Sequence, residues 1–264
     1  MMTEESFNSF AAQYDSAKYL PEPAKRTAEN ADLKPGQRVL DVACGTGWAT
    51  MAAASLVGDT GFVTGIDIAD QLLALAIEKA AAAGMKNVEY LAGNAEALKF
   101  DDNSFDVITC ASSIFIFQDA LKTLNEFLRV LKPCGKVVFS TFGEETFQPV
   151  LKLYNDKLVV YGKATDSPKL ILADTEECLE LLNNAGFTNN RTITEQLGFY
   201  FADKDDCWNQ LSNSLAIRQR LAVLNPEELE RFKKEHYEEL ASLVTDKGIW
   251  IDLPVNFGIG EKPA

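Results

Sequence analysis

The sequence predicts an α/β protein built on a mostly parallel, seven-stranded sheet flanked by helices. Two observations carry that expectation. Short apolar runs alternate with helix-period segments through the first half of the chain. The first of those runs ends in a glycine turn that opens a helix, Val39-Leu40-Asp41-Val42-Ala43-Cys44-Gly45-Thr46-Gly47-Trp48. A length of 264 residues fits one such domain with an added covering segment, and no short-period repeat or low-complexity tract interrupts it.

The elements follow in order. One or two helices are expected over about Glu5 to Asp32, and Lys34-Pro35-Gly36 marks a turn before the first strand, Val39 to Ala43. Strand Phe62 to Ile68 precedes a helix from Asp70 to Ala83, with Asp70 able to cap its start and Gly84 placed where a left-handed terminal residue is wanted. Strands Val88 to Ala92 and Val107 to Ala111, a helix from Ala120 to Leu131 ended by Pro133-Cys134-Gly135, and a strand Lys136 to Thr141 complete the alternation. From Phe142 the rhythm changes. Helices Glu145 to Tyr161 and Thr175 to Ala185, a strand Thr192 to Phe201, a helical stretch from about Asp203 to Val244 and a final strand Trp250 to Gly258 are expected. The domain therefore divides into an N-terminal helical lid (1–33), a cofactor-binding core (34–142) and a substrate-covering segment (143–264) that includes a helical insertion at about 203–246 and the final strands.

Composition narrows the function classes. Hydrophobic residues at 47% and charged residues at 24% are those of an ordinary globular protein. Lys+Arg 25 against Asp+Glu 39 gives a net charge of -14, which repels phosphate backbones and anionic lipid surfaces; Lys233-Lys234 is flanked by glutamates and makes no basic patch. The expected partner is a small-molecule substrate, with no nucleic acid and no membrane insertion. The opening Met1-Met2-Thr3-Glu4-Glu5 lacks the pattern of a signal peptide, which predicts a cytoplasmic protein. Five widely spaced cysteines with no Cys-x-x-Cys pair predict free thiols and no metal site.

The glycine turn carries the chemistry. Gly45 and Gly47 let the backbone turn tightly and approach a ligand, and the following helix directs free N–H groups at an anionic end. Nicotinamide and flavin dinucleotides use such a turn too, but with a third glycine where this chain has Thr50. Asp41 would repel a pyrophosphate yet suits an ammonium, directly or through water. Asp67 ends the second strand, where a carboxylate accepts from ribose hydroxyls in either cofactor class. Asn94, after the third strand, stands where an adenine edge can be read.

Five motifs fall in order: the loop Asp41 to Gly47, Gly65-Ile66-Asp67-Ile68, Gly93-Asn94-Ala95-Glu96-Ala97-Leu98, Ser104-Phe105-Asp106-Val107-Ile108, and Leu128 to Lys136 with its Lys132-Pro133-Cys134-Gly135 turn. The chain resembles the class I S-adenosylmethionine methyltransferases, and within them the ubiquinone and menaquinone biosynthesis branch, including the opening Phe10-Ala11-Ala12-Gln13-Tyr14-Asp15. The match runs over roughly residues 7 to 142. It implies a Rossmann-like sheet ordered 3-2-1-4-5-7-6 with the last strand antiparallel, and S-adenosyl-L-methionine as cofactor. It also implies that Asp41, Ala43, Gly45, Gly47, Asp67, Ile68, Asn94, Ala95, Ala111 and Tyr14 surround that cofactor, with both glycines beside the methionine moiety. Asn94 departs from the Asp common in relatives.

Methyl transfer is a direct displacement that alignment alone can accelerate, so no catalytic residue is assigned. The lone histidine, His236, sits in a charged stretch that reads as a solvated helix face. Tyr19, Phe115, Phe117, Phe142 and Phe199 are candidates for a substrate pocket, with Phe147, Phe201 and Trp208 as further apolar wall. The leading expectation is methyl transfer to carbon, oxygen or nitrogen of a largely apolar small molecule, releasing S-adenosylhomocysteine. The alternatives are an S-adenosylmethionine-binding protein without transferase activity and a dinucleotide-dependent oxidoreductase.

Overall fold

The computed structural model describes residues 4–8, 11–163, 172–212 and 214–264. Seven strands form the main sheet: β1 (Arg38–Val42), β2 (Phe62–Asp67), β3 (Val88–Ala92), β4 (Phe105–Cys110), β5 (Leu131–Phe142), β6 (Thr188–Gln196) and β9 (Pro254–Glu261). Their order is β3-β2-β1-β4-β5-β9-β6, with β9 antiparallel to both neighbours and the pairs from β3 to β5 parallel. This is the expected 3-2-1-4-5-7-6 order.

Central strands are buried on both faces, which is why they read as continuous apolar runs rather than alternations. The period of two still sorts their side chains. Val39, Val63, Val107 and Val138 face one layer, where α3 (Pro21–Asn30) and α4 (Trp48–Val57) contribute Ala28, Ala31, Ala53 and Ala54. Leu40, Ile66, Ile108 and Phe139 face the other, filled by Leu124, Phe127 and Val130 of α6 (Ala120–Val130) and Cys178 and Leu182 of α8 (Thr175–Asn184). Two short helices, α1 (Glu4–Asn8) and α2 (Ala11–Tyr14), precede α3, and α5 (Asp70–Ala82) follows β2.

Several boundaries differ from expectation. Asp70 is the first residue of α5 and not its cap; that position is Ala69, which has no side-chain cap, and its N–H donates to Asp67 Oδ1 at 2.9 Å. The helix expected from Glu145 begins later, as α7 (Val150–Val160). The strand expected over Thr192 to Phe201 breaks into β6 and β7 (Phe199–Phe201), because the chain turns away at Gly198, where an added Cβ would lie 2.1 Å from the Trp250 ring. The final strand divides likewise: β8 (Ile249–Ile251) pairs with β7 in a separate ribbon, and only β9 enters the main sheet.

Between β7 and β8 lie α9 (Lys204–Leu211), α10 (Leu215–Leu221) and α11 (Pro226–Ala241), the last opened by a capping box between Asn225 and Glu228. With α7 and the ribbon they enclose a second core containing Tyr154, Phe201, Trp208, Leu211, Phe232 and Leu240. His236 belongs to this core. It is fully buried, 4.2 Å from the Tyr154 ring, with Nδ1 3.2 Å from Glu239; the solvated face expected for it is a correction. Burial holds its pKa down at about 4.

Candidate active site

The strand order reverses between β1 and β4, the place where open parallel sheets leave a crevice beyond their carboxyl ends. Two residues there adopt left-handed backbone without being glycine: Ala43 after β1 (φ 54) and Ser112 after β4 (φ 51). Such conformations cost on the order of 1 to 3 kcal/mol and gather at functional sites. Both line a cavity of about 360 Å³, a size suited to small molecules.

Asp67, at the end of β2, is buried on the wall of this cavity. Its Oδ2 accepts from the Gly45 N–H and its Oδ1 from the Ala69 N–H, both at 2.9 Å, which ties the glycine turn to the second strand. Each carboxylate oxygen retains acceptor capacity for a ligand. Burial raises its pKa above the ordinary value, opposed by those N–H bonds.

Asp41 lies one layer below, wholly buried on β1. Thr109 Oγ1 donates to its Oδ1 at 2.8 Å and Thr50 Oγ1 to its Oδ2 at 2.6 Å. Thr50, which as a sequence feature only marked a missing glycine, thus has a positive role in holding this carboxylate. No salt bridge neutralises Asp41 among the described residues, and burial pushes its pKa up to about 6. It borders a small annex of about 30 Å³, the share of liquid volume that one water takes, shared with Ala43, Ala111, Ser112 and Tyr14.

The two glycines of the turn have different tasks. A Cβ on Gly45 (φ +53) would come within 2.9 Å of the Tyr14 hydroxyl. Gly47 (φ +85) begins α4, and a Cβ there would sit 2.5 Å from the Tyr90 hydroxyl and 3.2 Å from the Ala76 Cβ. Gly47 therefore serves the packing of the turn against β3 and α5, and neither glycine is on the wall of either cavity.

The N-terminal helices close the cavity from above with Phe7, Tyr14 and Tyr19. Burial and the neighbouring Asp67 push the Tyr14 phenol far above its ordinary pKa, so it stays protonated. Asp15 fastens this segment: it accepts from Trp48 Nε1 at 3.1 Å, from Lys79 Nζ and from the Thr46 hydroxyl, while Lys79 lies 4.0 Å over the Trp48 ring.

Of the remaining candidates, Ile68, Asn94, Ala95, Phe115 and Phe117 line the main cavity. Asn94 Oδ1 already accepts from the Glu96 N–H at 2.8 Å, which leaves one lone pair and its amide donors for a ligand. Phe142 and Phe199 are off the wall: Phe142 packs behind Phe115 (5.8 Å) and Tyr19 (6.3 Å), and Phe199 stacks edge-on with Phe201 (5.1 Å) beside the second core. Phe147 and Trp208 likewise belong to that core. Ser113, Ile116 and Gln118 join the wall from the run Ser113 to Gln118, which the sequence already places at the end of the fourth strand where ligands gather. Ser112 and Arg218 are wall residues that it did not single out; Ser112 directly precedes that run, and Arg218, on α10, carried no such signal. Among the described residues no cluster of metal-ligating side chains is present, and all five cysteines are free.

Demethylmenaquinone methyltransferases of Shouchella clausii and Bacillus cytotoxicus are each 39% identical over 139 residues, or 53% of this chain and 57% of theirs. The chain thus spans little more than half the length of the curated relatives it matches. Among solved structures, the YcgJ protein from Bacillus subtilis (TM-score 0.60, 21% identity, 92% of this chain and 99% of that one) has the same fold. So does a SAM-dependent methyltransferase from Aquifex aeolicus (TM-score 0.57, 24% identity, 73% and 93%). The pattern of the ubiE/COQ5 methyltransferase family matches residues 5–199, from the N-terminal helices through β6, and the chain belongs to that family.

Proposed function

We propose that this protein transfers the methyl group of S-adenosyl-L-methionine to carbon, oxygen or nitrogen of a largely apolar small molecule and releases S-adenosylhomocysteine. The observation that carries the reading is the pair of buried carboxylates at adjacent strand ends. Asp67 is on the cavity wall with acceptor capacity left, and Asp41 is uncompensated beside an annex the size of one water. A ribose diol suits the first and an ammonium, reached through one water, suits the second. The Ser112 hydroxyl, buried and without a partner among the described residues, offers a further polar contact at the same end. A dinucleotide has no ammonium to place near Asp41, and its pyrophosphate would be repelled there.

Bound there, S-adenosylmethionine supplies an electrophilic methyl on a sulfonium, which needs only an aligned nucleophile. The chain's part is to hold the ribose with Asp67, to close the cavity with Phe7, Tyr14 and Tyr19, and to present Phe115, Ile116 and Phe117 to an apolar acceptor. Excluding water under this cover strengthens the electrostatic contacts inside. The demethylmenaquinone methyltransferases among its relatives favour a ring acceptor of quinone type. The family match ends at residue 199, and beyond it α10 brings Arg218 to the cavity wall.

The test is transfer of an isotope-labelled methyl from S-adenosylmethionine into a bacterial extract fractionated into apolar metabolites, polar metabolites, protein and RNA. Label in the apolar fraction is expected. Binding of S-adenosylhomocysteine with no label in any fraction would replace the enzyme by a cofactor-binding protein, and label only in protein or RNA would overturn the acceptor class.

A further inference from the structure

We infer that Arg218 recognises an anionic oxygen on the acceptor, so that the substrate is an apolar ring compound carrying a carboxylate or an ionised hydroxyl. The inference rests on the methyl-transfer reading and names the substrate class for the same cavity. Among the described residues, three charged side chains line the wall: Asp67, Glu96 and Arg218. Neither acid can receive an anion: Asp67 keeps only acceptor capacity, which suits the ribose, and Glu96 is held by the protein. Asp67 accepts from Gly45 and Ala69, and Glu96 Oε1 accepts from the N–H groups of Gln118 (3.0 Å) and Asp119 (3.4 Å) with Lys122 3.8 Å from its other oxygen. Arg218 is the only cation on the wall, and its guanidinium has no hydrogen-bond or ion-pair partner among the described residues.

The placement of that guanidinium is built in. Ile217 and Leu221, one turn apart on α10, are buried in the second core, and Ser214 at the start of the helix is buried with its hydroxyl donating to the Leu211 carbonyl at 2.6 Å. With that stripe anchored, the neighbouring position 218, itself exposed, joins Phe115 and Phe117 on the wall of the cavity. A wholly neutral, apolar acceptor filling this space would strip water from the five N–H donors and return no acceptor, which is unfavourable. An anionic oxygen satisfies them with charge-assisted bonds. The protein's net charge of -14 works against an anion, and a local cation offsets that repulsion.

The experiment compares binding of naphthoate and of naphthylmethanol, ring probes that differ in an anionic carboxylate against a neutral hydroxymethyl group. Calorimetry is run on the intact protein with and without S-adenosylhomocysteine, for the wild type, Arg218→Met and Arg218→Lys. Wild type is expected to prefer naphthoate by about tenfold or more. Arg218→Met should lose that preference while binding S-adenosylhomocysteine within twofold of wild type, and Arg218→Lys should keep part of it. Equal affinity for the two probes, no binding of either, or a preference that survives Arg218→Met overturns the inference. So does an Arg218→Met variant that loses S-adenosylhomocysteine instead, because the guanidinium would then serve the cofactor. Failure of wild type to bind S-adenosylhomocysteine, with an Arg218-dependent preference for naphthoate intact, would remove the methyl-transfer reading and leave the anion site standing.

Discussion

Replacing Asp41 with asparagine removes a buried charge and keeps its shape. Thr50 and Thr109 each donate a hydroxyl hydrogen to the carboxylate, and either hydroxyl can turn to accept from an amide, so both contacts survive the change. What is lost is the ionisation. The folded state holds the Asp41 carboxyl at about 6 against an ordinary 3.8, mainly because burial penalises the charged form. Between those values the folded protein binds more protons than the unfolded chain, so this group erodes stability as pH rises through 6, and the erosion is complete above it. The difference corresponds to about 3 kcal/mol, and since Asp41 is wholly buried no solvent screening reduces it. Urea unfolding of wild type and Asp41→Asn at pH 4 and pH 7.5 should therefore show the stability difference moving toward the variant by about 3 kcal/mol as pH rises. His236 contributes a slope of opposite sign over the same range, but it is common to both proteins and cancels. An ammonium near Asp41 relieves the uncompensated charge. S-adenosylhomocysteine affinity should rise with pH through 6 in wild type and lose that dependence in Asp41→Asn. A stability difference that stays constant from pH 4 to 7.5 would refute the idea of a buried, uncompensated carboxylate.

Asp67→Ala should weaken S-adenosylhomocysteine binding by about 1 to 3 kcal/mol in calorimetry, through lost hydrogen bonds to the ribose; unchanged affinity would remove Asp67 from the site. Gly47→Ala should lower stability by roughly 2 to 4 kcal/mol, combining positive-φ strain with a Cβ forced against Tyr90. Adding Tyr90→Phe, which deletes the atom at 2.5 Å, should recover part of that loss in chemical denaturation; no recovery would locate the cost in the backbone alone. His236 is held near 4 against an ordinary 6.5, so its contribution is present above pH 6.5 and is lost as pH falls toward 4. His236→Gln should flatten that acid limb by about 3 kcal/mol relative to its own stability at pH 7.5, and an unchanged limb would mean that the ring is accessible to water.

Comparing the chain with its folded form separates two kinds of information. The sheet and the glycine turn were legible because their signals are local: an apolar run five residues long, a turn that tolerates left-handed backbone, and a helix behind it lie within Arg38 to Val57. Asp41, Asp67 and Asn94 could be placed at strand ends for the same reason. His236 was misread because its neighbours Lys233, Lys234, Glu235 and Glu238 dominate the composition of the stretch. The spacing Phe232, His236, Leu240, a buried stripe at every fourth position of α11, was the signal that outranks it. Phe199 was assigned to the pocket on residue type alone, and the break at Gly198 turns its strand toward the second core instead.

The sequence by itself determined the α/β class, the strand order through its resemblance, and the carboxylates at the strand ends, since each rests on spacing within a few turns of chain. Only the tertiary structure decided that Gly47 packs against Tyr90, that Asp41 is held by Thr50 and Thr109, and that Arg218 reaches the same cavity as Asp67. Those relations join residues up to about 150 positions apart, and no local periodicity encodes which surfaces meet once the sheet has closed over its helices.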